Sequence, residues 1–113
     1  TVNMNNVKPK SGAFTVWPGT HRRAYTYFQD HSLLNGLKAF QDKSGSYVDL
    51  PHPVENPGPS GTTIFWHHLM MHNAGNNHGR DIRMACVSRF RRENTHEIMF
   101  DFPKDMWTYW EGL

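Results

Sequence analysis

The segment GTTIFWHHLMMHNAGNNHGRDIRMACVSRFRR, Gly61–Arg92, holds two strand-like runs around one polar turn. Thr62–Trp66 is β-branched and aromatic, the composition of a strand. His72–Asp81 is rich in Asn and Gly and reads as a tight connection. Ile82–Arg92 predicts the longest strand of the chain. In it Met84, Cys86, Ser88 and Phe90 face one way, and Arg83, Ala85, Val87 and Arg89 the other. His72 therefore closes one run and Arg83 heads the next.

Working outward, Ala13–Trp17 predicts a strand that stops at the Pro18-Gly19 turn. Alternation at Val2 and Met4 suggests the tail of another strand, and Lys8–Gly12 a turn. Between Pro51 and Gly61 four prolines and two glycines exclude a helix and leave turn and extended edge. Leu33, Leu34, Leu37 and Phe40 recur at helical spacing, so His31–Phe40 fits a short helix or an ordered loop. Tyr47–Leu50 fits a short strand. Pro103 is suited to the first turn of a short C-terminal helix carrying Met106, Trp107 and Trp110. Short strands between turn signals predict an antiparallel sandwich or barrel.

A chain of 113 residues suffices for a single domain, 1–113, with one small core. Its net charge of +2 is too small to argue for nucleic acid, and Arg89, Arg91 and Arg92 read as a solvated strand end. No apolar run is long enough to span a membrane. With a single cysteine, Cys86, there is neither a disulfide framework nor a paired-cysteine zinc site, and a buried structural thiol is expected. Without a visible signal peptide, a cytoplasmic location is the default.

His67, His68 and His72 are the candidate metal ligands. On a helix His68 and His72 would share a face, but the strand-forming residues before them argue for extended backbone, and HExxH is absent. A non-haem Fe(II) site needs two histidines and one carboxylate around open positions. Arg83 supplies a different function: a planar guanidinium grips a carboxylate through two parallel hydrogen bonds. At the strand entry after His72, it is placed to anchor the far carboxylate of a keto-acid that chelates the metal. Arg80, in the Gly79-Arg80-Asp81 turn, competes for the role.

Three segments together resemble the phytanoyl-CoA dioxygenase family. Ser11–His21, SGAFTVWPGTH, is similar to the family's segment ending in Pro-Gly-Ser-His. Phe65–Asn77, FWHHLMMHNAGNN, is similar to its segment around the distal histidine. Arg83 follows at the family's spacing. The resemblance implies a double-stranded β-helix of the jelly-roll or cupin type. It also implies an oxygenase that uses Fe(II) and 2-oxoglutarate to hydroxylate a small organic substrate. His72 would be the distal histidine ligand and Arg83 the residue binding the C5 carboxylate of 2-oxoglutarate. Pro18, Gly19, Thr20 and His21 would form the substrate rim.

Two positions depart from the family pattern. Ala74 stands where relatives often carry a serine, which removes one hydrogen bond to the cosubstrate. The His-x-Asp or His-x-Glu motif is absent, because none of the eight histidines has an acid two places on. The resemblance thus covers the later part of the β-helix. The expectation is a C-terminal part of a larger oxygenase domain lacking its N-terminal strands, inactive as this chain alone. Its exposed sheet edges would be covered by the missing segment or by a second copy. The competing reading is a cupin-like, non-catalytic binding or assembly module.

Overall fold

The structure, a computed structural model, describes residues 1–31, 50–110 and 112. Around Pro18-Gly19 the chain switches from strand to helix. Upstream, β2 (Phe14–Val16) is nearly all buried; downstream, α1 (Thr20–Asp30) begins at once. Gly19 makes the switch possible: its φ of 79° lies in the left-handed region, which a side chain would disfavour.

β2 is the central strand of a three-stranded antiparallel sheet in the order β3-β2-β4, with β3 at Val54–Asn56 and β4 at His72–Ala74. Phe14 lies opposite Asn56 and Ala74, and Val16 opposite Val54 and His72. β3 is an edge, as the prolines around it require. β1 (Val2–Asn3) and β5 (Ala85–Cys86) form a second, two-stranded antiparallel sheet, pairing Val2 with Cys86 and Asn3 with Ala85. The fold is mainly β, with two small antiparallel sheets and few helices.

The two long strands expected in Gly61–Arg92 are much shorter. Thr62–Trp66 pairs only through a Val2–Thr63 bridge, with Asn3 N–H donating to Thr62 O at 3.0 Å and Ile64 N–H to Thr1 O at 2.8 Å. Ile82–Arg92 contributes only Ala85–Cys86. The physical reason is the partner: β1 has two residues, and strand propensity without a second strand leaves the ladder unmade. Phe65, Ile82 and Phe90 are 84%, 80% and 85% exposed, so Phe65 is not a core residue. The expected alternation does hold over β5 and the two residues before it: Arg83 and Ala85 are half-buried, Met84 and Cys86 exposed. Cys86 is therefore not the buried thiol expected, since no second layer among the described residues covers that face of β5.

α1 was not foreseen, although Thr20, Ala24 and Phe28 recur at i, i+4, i+8 and are its buried face. Ala24 and Phe28 form a core cluster with Tyr27, Leu69 and Phe102 packed on it. Phe102 is set against Tyr25 and Phe28 at ring distances of 5.3 and 5.6 Å.

The aromatic tail thus packs on α1, but not as the helix expected from Pro103. Tyr25 Oη and Gln29 Nε2 both donate to Pro103 O, at 2.9 and 2.8 Å, so that carbonyl is taken by side chains of α1. Residues 105–110 make i→i+3 turns instead, Thr108 N–H to Asp105 O and Trp110 N–H to Trp107 O. A single helical turn, α2 (Thr95–Ile98), lies earlier. The helix or loop expected over His31–Phe40 and the strand over Tyr47–Leu50 fall, apart from His31 and Leu50, outside the described residues. No helix among the described residues is long and apolar enough to cross a membrane.

Candidate metal and keto-acid site

β4 begins at His72. Its register opposite Val16 and two places from Ala74 puts His72 on the same sheet face as Phe14. Phe14 is 5% exposed, and its ring lies 5.6 Å from the His72 imidazole and 5.4 Å from the Trp66 indole. Trp66 closes the triangle at 4.1 Å from His72 and anchors itself through Nε1–H to Thr1 Oγ1 at 3.1 Å. His72 is itself exposed, so the two aromatics support one side of the ring and leave another open.

The hydrogen bond of His72 decides its chemistry. Nδ1 lies 2.8 Å from Met70 O. A carbonyl oxygen only accepts, so Nδ1 carries a proton, and in the neutral ring Nε2 keeps its lone pair. A metal-ligating histidine is oriented in this way, with the second nitrogen tied to backbone.

Arg83 flanks the other end of β2. It precedes β5 and is not within it, and a Cβ built on Gly12 would stand 3.8 Å from Cβ of Arg83. Gly12 has a φ of 76° and lies against Asn77, so a side chain here would be strained by the backbone conformation, while its contact with the arginine would be an ordinary one. Asn5 fixes the backbone on both sides of Arg83: Nδ2 donates to Ile82 O at 2.8 Å, and Oδ1 accepts from Met84 N–H at 2.9 Å. Asn77 holds the preceding turn, donating to Asp81 O at 2.8 Å. The Nε of Arg83 is buried and has no hydrogen-bond partner. A buried guanidinium N–H without an acceptor is costly, and a carboxylate is the acceptor whose shape and charge fit it. Arg80, by contrast, is exposed.

The rim residues divide. Pro18 and Gly19 are exposed and His21 is half-buried, while Thr20 turns inward and is 1% exposed. His21 leads into a histidine cluster, with its ring 5.6 Å from His67, which in turn lies 4.5 Å from His68 and 6.2 Å from Trp107. His67 Nδ1 accepts from Leu69 N–H at 3.2 Å. Burial, then the neighbouring His68 and His21, push its pKa down to about 4. Burial and Arg22 also lower that of His21.

This cluster makes stability pH-dependent. The unfolded chain takes up the His67 proton near pH 6.5, the folded chain only near pH 4, so stability is full above pH 6.5 and falls as pH drops through that window. With a half-exposed ring screened by solvent, the expected loss is about 1–2 kcal/mol. Urea midpoints at pH 7 and pH 4.5 measure it. A His67→Phe chain with an unchanged slope would refute the assignment.

Among the described residues no group of three or more His, Cys, Asp or Glu side chains is placed to hold a metal ion. An open cleft of about 580 Å³ lies on the opposite face of the sheet, lined by Thr15, Glu55 and Asn73, and is separate from the His72 face. Sequence reasoning singled out His72 and Arg83 as candidates but not Phe14 and Trp66, which pack on His72, or Asn5, which holds the backbone beside Arg83. Trp66, beside a histidine at the end of a β run, was the one available signal.

The described residues thus form a mainly β protein with an oriented histidine beside one end of its central strand and, beside the other, a half-buried arginine whose Nε has no hydrogen-bond partner. The family profile described as phytanoyl-CoA dioxygenase (PhyH) matches residues 2–85, and the chain belongs to that family, whose members are generally Fe(II)- and 2-oxoglutarate-dependent. It is 28% identical over 102 residues to the peroxisomal phytanoyl-CoA dioxygenase of Bos taurus, a match covering 84% of this chain. The chain spans 28% of the length of that relative. No solved structure matches it.

Proposed function

We propose that this chain forms part of the site of a double-stranded β-helix oxygenase that uses Fe(II) and 2-oxoglutarate to hydroxylate a small organic substrate. The observation that carries the reading is the buried, partnerless Nε of Arg83, at the opposite end of β2 from a histidine with a free Nε2. His72 Nε2 would hold the iron together with a second histidine and a carboxylate supplied from outside the described residues. Arg83 would take the C5 carboxylate of 2-oxoglutarate. Bound Fe(II) and 2-oxoglutarate supply the activation of dioxygen, with succinate as coproduct.

The chain's own residues supply geometry. The Met70 carbonyl keeps His72 in the ligating tautomer, and Phe14 and Trp66 exclude water from one side of its ring. Asn5 keeps Arg83 in place so that the carboxylate meets a fork already oriented. Ala74, with no hydroxyl, leaves the keto-acid to the arginine on this face. A fatty acyl thioester is the first substrate class to test, following the name of the bovine relative. A cytoplasmic location belongs to the same proposal.

The test is succinate release with Fe(II), ascorbate and 2-oxoglutarate, by the chain alone and by a form completed with a family segment carrying His-x-Asp. The chain alone is expected to release little, since one protein ligand chelates weakly. The completed form should turn over. Iron-independent or absent succinate in the completed form would instead favour a non-catalytic, cupin-like binding module. Robust release by the chain alone would mean that a carboxylate within it completes the site.

A further inference from the structure

We propose that Thr20 is a positioning residue for His72, acting through the peptide between Met70 and Met71. The inference rests on the reading of His72 as a metal ligand. Thr20 belongs to the Pro18-Gly19-Thr20-His21 turn, where exposure to substrate was expected. Its side chain instead points into the protein and is 1% exposed, out of reach of any substrate. There the hydroxyl is used twice. It donates to Trp17 O at 2.6 Å, and its oxygen accepts from Met71 N–H at 3.0 Å.

The Met71 N–H and the Met70 carbonyl are the two ends of one planar, trans peptide, so they point in opposite directions and turn together. Thr20 holds the N–H end. The carbonyl end accepts the Nδ1–H of His72 at 2.8 Å. The result is an unbroken line: Trp17 O, Thr20 Oγ1, the Met70–Met71 peptide, His72 Nδ1. Each bond in such a line polarises the next. Rotation of the peptide would carry the carbonyl away from His72, and with it the constraint that leaves Nε2 unprotonated.

Two further contacts show that the brace is built into the fold. Trp17 N–H donates to Met71 O at 3.0 Å, so Met71 is gripped on both its amide and its carbonyl by the Trp17–Thr20 turn. Met70 Sδ also lies 3.5 Å from Thr20 Oγ1. The helix N-terminus and the approach to β4 are thus a single hydrogen-bonded unit, although fifty residues separate Thr20 from Met70. A hydroxyl is required here, since only an atom that donates and accepts at once can link a carbonyl to an N–H.

The test reads the tautomer of His72 directly, by nitrogen-15 NMR of histidine-labelled full chain without metal at neutral pH. Wild type is expected to show Nδ1 protonated and Nε2 bare. Thr20→Val keeps the shape and removes the hydroxyl; its His72 should relax to the Nε2–H form, and the Met71 amide should exchange about tenfold faster, the loss expected for one hydrogen bond. Thr20→Ser should restore both signals. A folded Thr20→Val chain that keeps the wild-type tautomer would overturn the proposal. Should that variant fail to fold, wild-type protein decides: a Met71 amide exchanging as fast as an unbonded one overturns the brace, and a protected one together with a normal Thr20→Ser tautomer upholds it. Because no iron or keto-acid is present, the tautomer can move as expected even where the oxygenase reading fails for want of succinate.

Discussion

His72→Ala is expected to weaken Fe(II) binding to the completed site by more than about 100-fold and to abolish succinate release. Loss of a partner that merely orients a ligand typically costs about 10–100-fold in metal affinity, so loss of the ligand itself costs more. The effect is steep because ligands reinforce one another: two already in place make the third nearly intramolecular, and a pair alone binds far more weakly. The fold should survive, since His72 is exposed and its β4 backbone pairing with Val16 does not need the imidazole. Fe(II) titration and metal content after desalting measure the loss. His67→Ala and His68→Ala are the controls, and neither should behave this way. If one of them loses iron while His72→Ala retains it, the ligand belongs to the histidine cluster beside Trp107.

For the keto-acid, Arg83→Leu should cost about 30- to 100-fold in affinity. Removing one partner of a desolvated, hydrogen-bonded charge pair costs about 2–5 kcal/mol, and the half-buried position of Arg83 argues for the lower part of that range. The loss should fall on the KM for 2-oxoglutarate more than on kcat, because the C5 carboxylate is held equally in ground and transition states. Arg83→Lys should recover part of it: the charge returns, but the two-pronged geometry does not. Calorimetric titration of 2-oxoglutarate into the completed protein gives the affinities directly. Unchanged binding by Arg83→Leu, with a loss in Arg80→Leu, would transfer the clamp to the exposed turn residue.

These two results also separate the readings of function. An oxygenase requires both: iron at His72 and keto-acid at Arg83. A binding or assembly module of cupin type has no reason to lose a keto-acid when Arg83 is removed. The Thr20 brace is tested apart from them, since it concerns the orientation of His72 in the absence of either ligand and holds under both readings.

Local chemistry carried much of this protein legibly. The Ala13–Trp17 run appears as β2, stopped at Pro18-Gly19 because proline lacks the N–H for the ladder and Gly19 takes a left-handed conformation. The proline-rich segment appears as the edge strand β3. The family motifs and the order of His72 and Arg83 were readable because residue type, order and spacing survive without any knowledge of packing, but His72 opens the strand β4 and does not close the preceding run as expected, because its pairing partner is the distant Val16. Helix α1 was readable in principle through Thr20, Ala24 and Phe28, but Tyr25, Tyr27 and Phe28 are weak helix formers and masked the pattern.

The tertiary structure decided everything that depends on a partner distant in the chain. Thr62–Trp66 and Ile82–Arg92 have strand composition, yet their length as strands is set by β1, which is two residues long. Pro103 does not open a helix because its carbonyl is claimed by Tyr25 and Gln29 across the fold. The tautomer of His72, the buried Nε of Arg83 and the inward turn of Thr20 likewise come from contacts made only when the chain closes on itself. Composition and spacing specify which groups are available. Hydrogen-bond satisfaction in three dimensions determines which of them are free to act.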